Sequence, residues 1–427
     1  MTKPRTARGR KKPGLVRRFF SALGPGLITG AADDDPSGVA TYSITGAQLG
    51  TSLLWTAIVT WPLMATVQMM CARIGMVTGE GLAGAMSKKF PRWFLAGVSV
   101  ALLIANTVNI AADLAGMSDA AEMLTGWNSH AFVLIFGIGI AWATIRLRYY
   151  QLANILKWLA LILFAYIVTA LSVGPKWSEV ARAAFVPELP ASRAAWGALV
   201  AILGTTISPY LFFWQAAQEV EEEKSKGRRM LVERVGATRR EIVDRRLDVG
   251  VGTFFSNLVM FFIILTTALT LHRHGVTHIE TSRQAAEALT PLVGPYATLL
   301  YTVGLLGVGL LAIPTLAGSA AYAFAETFRW SAGLDQKLGS ARYFYGVVIF
   351  STAAGVALDF TNVNAIQALF WSAIVNGILA PVLLVAILLV ASDRQVMRGQ
   401  PSSLWSRSVV GLTAAVMTLA AVGMFVF

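Results

Sequence analysis

The sequence predicts an all-α polytopic membrane protein built from two inverted five-helix repeats plus an eleventh helix, and three observations carry that prediction. The chain has 427 residues, of which 56% are hydrophobic and only 14% charged, and its mean hydropathy is +0.62. A soluble domain of this length has no use for so much apolar surface. Stretches long enough to cross roughly 30 Å of hydrocarbon recur along the chain. Two of them, the first and the sixth, are interrupted by Pro at matching places, and five spans per unit make the two units insert with opposite topology.

The eleven spans fall near 20 to 49, 52 to 78, 93 to 118, 129 to 146, 151 to 173, 193 to 218, 247 to 271, 296 to 325, 343 to 358, 364 to 391 and 404 to 427. This divides the chain into a basic tail (1–19), a first repeat (20–173), a connecting loop (174–192), a second repeat (193–391) that contains a charged loop (219–248), and a last helix (392–427). With the N-terminus in the cytoplasm, the tail and the loops on its side hold 27 Lys or Arg, against five in the loops opposite. That asymmetry orients the chain under the positive-inside rule. The net charge of +12 therefore sits in membrane-flanking loops and points to the lipid bilayer as a partner, not to nucleic acid. The setting is that of a bacterial inner membrane.

Cysteine usage is equally informative. Cys71 is the only cysteine and lies in an apolar span, which excludes a disulfide framework or a thiolate metal cluster. No cleavable leader follows the basic tail, because the apolar stretch runs into acids instead of a small-residue cleavage site. No nucleophile with a base partner, phosphate-binding glycine loop or cofactor fingerprint occurs, so the chain reads as a transporter that is neither an enzyme nor an ATP-driven pump.

The first break is Asp33-Asp34-Asp35-Pro36-Ser37-Gly38. Pro36 lacks an amide donor and Gly38 tolerates any backbone angle, so the helix opens there and frees carbonyls such as that of Ala32. Carboxylates at bilayer depth need a cation or a water-filled cavity. The second break is Gly204-Thr205-Thr206-Ile207-Ser208-Pro209-Tyr210, with Pro209 about as far into its span as Pro36 is into the first. Half-helix C-terminal ends favour cations, and an acid at the first break repels a carboxylate substrate. Thr205, Ser208 and Tyr210 offer oxygen only, so nothing at either break selects a soft metal. Short side chains leave room for retained waters, which Mg2+ prefers.

These residues carry a resemblance. Gly24-Pro25-Gly26-Leu27-Ile28, the Asp35-Pro36 break, Gly46-Ala47-Gln48-Leu49-Gly50 and the Pro209 break resemble the NRAMP family of divalent-metal transporters, over most of the chain. The resemblance implies a leucine-transporter-like fold whose spans one, two, six and seven rock against three, four, eight and nine. Family members place metal-binding Asp and Asn in span one, where this chain has Asp35 and Gly38. They place an Ala carbonyl, a Met sulfur and a proton-handling His in span six, where it has Thr205, Ser208 and Tyr210, and a later His where it has Gln215. In span three the family Asp corresponds to Asp113 and the family Glu to Gly116. The absences resemble the NRAMP-related magnesium transporters and imply Mg2+ or Mn2+ carried partly hydrated and without proton coupling.

The expected metal site is therefore Asp35, Thr205, Ser208, Gly38, Ala32 and Asp34, with Tyr210, Asp113, Gln215 and Gln367 along the pathway. Asp33 faces water or a polar neighbour, since three consecutive acids cannot converge at 3.6 residues per turn. Asp113 is either a pathway residue or a structural hydrogen-bond partner. Asn106 and Asn109 read as interhelical hydrogen-bonders, Asn257 and Asn376 stay open, and Gln367 stands roughly where the family uses a Gln near the metal. His272, His274 and His278 read as solvated loop residues. No resident cofactor is expected beyond the transported divalent ion. The alternatives are a proton-coupled Mn2+/Fe2+ symporter, a Na+-coupled organic solute transporter, and a non-transporting metal sensor.

Overall fold

Apolar residues dominate the chain at helical spacing, and in the computed structural model they form helices throughout. The structure describes residues 25–146, 161–334, 336–361 and 364–426. The basic tail, the first residues of span one and the first ten of span five lie outside them. No strand occurs among the described residues.

Span one is two helices, α1 (Pro25–Asp33) and α2 (Pro36–Leu49). At 1.5 Å per residue each covers only part of the bilayer, about 14 and 21 Å. Then come α3 (Trp55–Thr78), the short α4 (Leu82–Met86), α5 (Arg92–Thr125), α6 (Ser129–Arg146) and, after a 3-10 turn, α7 (Ala165–Val173). A short helix, α8 (Trp177–Phe185), fills the connection to span six. Span six is also split, into α9 (Arg193–Thr206) and α10 (Pro209–Ser225). The rest of the chain forms α11 (Leu231–Arg234), α12 (Arg239–Thr270), the short α13 (Ser282–Glu287) and α14 (Thr290–Val293), α15 (Ala297–Phe328), α16 (Arg342–Asp359), α17 (Ala365–Ser392) and α18 (Leu404–Val426). Eight of the described helical stretches are long and apolar enough to cross a membrane, with the continuous path α9–α10 counted as one.

Local chemistry sets the ends. Pro36 and Pro209 each occupy the first turn of the helix they open, where the missing amide would have had no partner anyway. Asp35 caps α2 through its side chain, and Thr238 with Glu241 forms a capping box at the start of α12. Gly79 ends α3 in the left-handed region at φ 68°. Internal prolines at Pro62, Pro314 and Pro381 sit inside packed helices, which membrane helices tolerate.

The helices pack in two groups. In one, α3 packs on α10 and on α12, α12 carries α1 and α2, and α10 also touches α1. In the other, α5, α6, α15 and α16 pack together. Gly30 lets α1 lie directly on α12, since a Cβ there would stand 2.5 Å from the Gly252 carbonyl. Polar side chains tie the helices further: Asn106 donates to the Leu316 carbonyl at 2.8 Å, and Thr60 to Asn257 at 2.7 Å.

Candidate functional site

Both breaks lie at the middle of the packed helices, and side chains join them. At the first, Asp35 Oδ1 accepts from the Gly38 amide at 2.7 Å and from the Ser37 hydroxyl at 2.8 Å. Its Oδ2 accepts from Asn109 of α5 at 3.1 Å. At the second, Ser208 folds its hydroxyl back onto the carbonyls of Gly204 and Thr205 at 2.6 and 2.8 Å. Tyr210 crosses between the breaks and donates to the Ala32 carbonyl at 2.9 Å. Each of these carbonyls keeps a second lone pair.

Gly38 opens a small cradle between the two breaks. A Cβ placed there would lie 3.1 Å from Thr205 Oγ1, 3.5 Å from the Asp33 carbonyl and 3.5 Å from Asp35 Oδ1. The point is ringed by a hydroxyl, a carbonyl freed by the break and a carboxylate. Beside it the Thr205 and Tyr42 hydroxyls reach only each other, and Asp113 Oδ1 is buried without a hydrogen-bond partner among the described residues. An orphaned buried polar group costs about 1 to 3 kcal/mol, so under-satisfied oxygens here suit a bound hydrated ion better than a purely structural core. The donors are all oxygen, the set that hard divalent cations take.

The three consecutive acids separate. Asp33 and Asp34 turn toward α12, where the Ser256 hydroxyl donates its one hydrogen between them, with Asp33 at 2.6 Å the nearer and Asp34 at 3.2 Å the farther acceptor. Asp34 thus does not share the Asp35 cradle, because neighbouring residues on a helix point to different faces. No group of three or more Asp, Glu, His or Cys side chains converges in a metal-holding arrangement among the described residues. Asp33, Asp34, Asp35 and Asp113 make no ion pair with a described residue.

Asp35, Gly38, Ala32, Thr205, Ser208 and Tyr210 come together, and Asp113 stands beside them through Asn109, which donates to its Oδ2 at 3.1 Å. Gln215 lies further along α10 and donates to Glu219 at 2.7 Å. Gln367 does not join: it is exposed in the first turn of α17, nine residues, about 14 Å of helix, before the buried Asn376. Asn376 is the α17 residue that reaches the site, donating to Asn109 at 3.2 Å. Sequence reasoning passed over Tyr42, which is two helical turns from Asp35 and so on its face, and Gln68, whose amide is buried and unpartnered on α3. It took the histidines as loop residues only, whereas His272 hydrogen-bonds the Ala47 carbonyl near the end of α2 at 2.7 Å.

Toward the end of the bundle that carries the basic loops, a second acidic group differs in kind. Arg245 on α12 pairs with Glu219 at 2.8 Å and with Asp248, all three buried, and with the half-buried Glu222. Asp248 also accepts the Gly26 amide at 2.8 Å, which ties the N-terminus of α1 to α12. Just outside the spans, Glu223 holds the Arg228 guanidinium above its usual range.

Residues 26–427 match the family described as Nramp, natural resistance-associated macrophage protein-like. The divalent metal cation transporter MntH of Deinococcus radiodurans is 30% identical over 329 residues, which cover 73% of this chain and 71% of that protein. The manganese transporter of Eremococcus coleocola, solved with an aromatic bis-isothiourea compound, has the same fold with a TM-score of 0.73 at 16% identity, covering 97% of this chain and 88% of that one. Mhp1, a nucleobase-cation-symport-1 family transporter, follows at a TM-score of 0.54 and 16% identity, covering 94% and 92%. These two likenesses give the fold, a leucine-transporter-like arrangement around broken first and sixth spans. With the family match running from the first described helix to the last, this multi-pass membrane transporter, which is not an enzyme, belongs to the Nramp family.

Proposed function

We propose that the chain carries a divalent cation across the membrane by alternating access, favouring Mg2+ and also accepting Mn2+, with the ion partly hydrated and no proton coupled to it. The Asp35 carboxylate and the oxygen-only lining of the two breaks carry this reading, since hard divalent cations take oxygen ligands and nothing soft stands at either break to strip their waters. Asp35 supplies the charge, the Ala32 and Thr205 carbonyls with the Ser208 hydroxyl supply the remaining oxygens, and the buried Thr205 and Tyr42 hydroxyls suit ligand waters. No imidazole stands at either break to move a proton.

In this reading the N-terminus is cytoplasmic in a bacterial inner membrane, on the strength of the Lys and Arg asymmetry. The group of α1–α3, α9, α10 and α12 moves against that of α5, α6, α15 and α16. A proton-coupled Mn2+/Fe2+ symporter is the second reading; the Deinococcus relative is named a divalent metal cation transporter and the Eremococcus one a manganese transporter. An organic solute finds little support, since Tyr42, Tyr210 and Trp214 are fully buried.

Uptake into liposomes of Mg2+, Mn2+ and Ca2+, with internal pH recorded, tests the proposal. Mg2+ and Mn2+ entry at constant internal pH is the expected result. Acidification in step with Mn2+ entry would overturn the uncoupled reading in favour of the symporter, and no flux of any of the three ions would overturn both.

A further inference from the structure

We infer that Asn109 is the positioning residue of the ion site: its amide holds the Asp35 and Asp113 carboxylates apart and in fixed orientation while neutralising neither. The inference rests on Asp35 being the charged ion ligand. Asn109 is fully buried in the middle of α5, within hydrogen-bonding reach of side chains on three elements. Its Nδ2 donates to Asp35 Oδ2 on the first break at 3.1 Å and to Asp113 Oδ2, one turn along its own helix, also at 3.1 Å. Its Oδ1 accepts from Asn376 of α17 at 3.2 Å.

Chemistry fixes the orientation of this amide. Ionised carboxylates only accept hydrogen bonds, so the nitrogen must face both acids and the oxygen must face away, where Asn376 provides the matching donor. A hydroxyl has one hydrogen to offer two acceptors, whereas the amide nitrogen has two. A lysine or arginine would serve both acids but would cancel the charge the ion needs, as Arg245 does for its own acids.

Counting lone pairs sharpens the role. A carboxylate has about four acceptor positions. The Asp35 Oδ1 takes the Ser37 and Gly38 donors, both from its own turn, and Oδ2 takes Asn109. All the other donors to Asp35 come from its own turn, so Asn109 alone orients the carboxylate from across the packed helices. Because α2 and α5 belong to different groups of helices, the same contact also ties the ion site to the other half of the molecule.

The test uses the full chain, with Mn2+ binding measured by calorimetry in detergent and Mn2+ and Mg2+ uptake measured in liposomes. Asn109→Leu keeps the branched outline and removes both donors. The expected result is a rise in Kd and KM of about tenfold or more, the scale of losing hydrogen bonds to charged groups, with Vmax nearly unchanged. Asn109→Ser, which keeps one donor, should fall in between, and Asn376→Leu should raise KM less, in the same direction. Wild-type Kd and KM in Asn109→Leu, or a fall in Vmax alone, would overturn the inference; should that variant lose its monodisperse elution, Asn109→Ser and Asn376→Leu decide by the same criterion. Asp35→Ala runs in parallel. If it abolishes Mn2+ binding while Asn109→Leu and Asn109→Ser bind like wild type, the positioning role alone fails; if it leaves binding intact, the ion site itself is misplaced.

Discussion

Two groups of buried acids lie on the same broken helices and their neighbours, and only one of them contains its own cation. Around the first break, Asp35 and Asp113 meet neutral donors only: an amide, hydroxyls and main-chain N–H groups. Toward the basic end, Glu219, Glu222 and Asp248 surround Arg245, whose guanidinium satisfies them directly. Acid count alone therefore does not mark a cargo site. A resident guanidinium makes the acids part of the scaffold, while neutral donors orient the acids and leave their charge to an ion from outside.

The largest expected effect tests the open side of this contrast. Asp35→Ala removes the one carboxylate in the Gly38 cradle, and losing the charged partner of a buried ion is worth about 3 to 5 kcal/mol. Uptake of both Mg2+ and Mn2+ should fall at least about a hundredfold, since 1.4 kcal/mol is a factor of ten. The melting temperature should fall only modestly, by the loss of the α2 cap, about 0.5 to 2 kcal/mol, because the acid compensates no charge in the protein itself. Retained uptake would show that the acids at the break are structural too, and the contrast would collapse.

Arg245→Met tests the closed side. It leaves Glu219 and Asp248 buried without a counterion, and breaking a buried pair from one side costs about 3 to 5 kcal/mol of stability. Thermal unfolding in detergent should show a large drop in melting temperature, in contrast with Asp35→Ala. Equal melting temperatures for the two variants would mean that Arg245 is dispensable to the fold.

Why one group was easier to read than the other follows from where the information lies. Pro36, Pro209 and the acids announce both breaks within a few residues of sequence, so the fold and the meeting of Asp35, Gly38, Thr205 and Ser208 are visible in one dimension. Asn109 and Asn376 are single polar residues in apolar helices. Which neighbour each meets depends on how α5, α17 and α2 are rotated against each other, and that is set by packing, not by local sequence. Spacing did hold a clue, since Asn109 is one turn from Asp113 and Tyr42 two turns from Asp35. Gln367 misled for the same reason: likeness to a family glutamine ignores the two and a half turns that separate it from the buried face of α17 at Asn376. Within the charged loop of 219–248, Arg245 buries its guanidinium against α10, a pairing across 23 to 26 positions that no helical spacing reveals.

Gly38→Asn asks how far neutral donors tune the open site. The new side chain fills the cradle and brings an amide oxygen to the ion in place of a water. Mg2+, which keeps its waters, should lose uptake by about tenfold while Mn2+ is retained, so that the Mn2+ to Mg2+ ratio rises. Parallel loss of both ions would show that the space itself, and not the water, is what transport needs.

The smallest effect belongs to the neutral hydrogen bond that joins the two breaks. Tyr210→Phe keeps the ring, which is fully buried, and removes only the donor to the Ala32 carbonyl. A neutral bond of this kind contributes about 1 kcal/mol, and the carbonyl released by the change still faces the break, where an ion or a water can take its lone pair. Melting temperature should fall less than in Arg245→Met, and KM should move by less than about tenfold, with the ratio of Mn2+ to Mg2+ uptake unchanged. A loss as deep as that of Asp35→Ala would place the Tyr210 hydroxyl among the groups that carry the ion, and the line between orienting donors and ion ligands would have to be redrawn through α10.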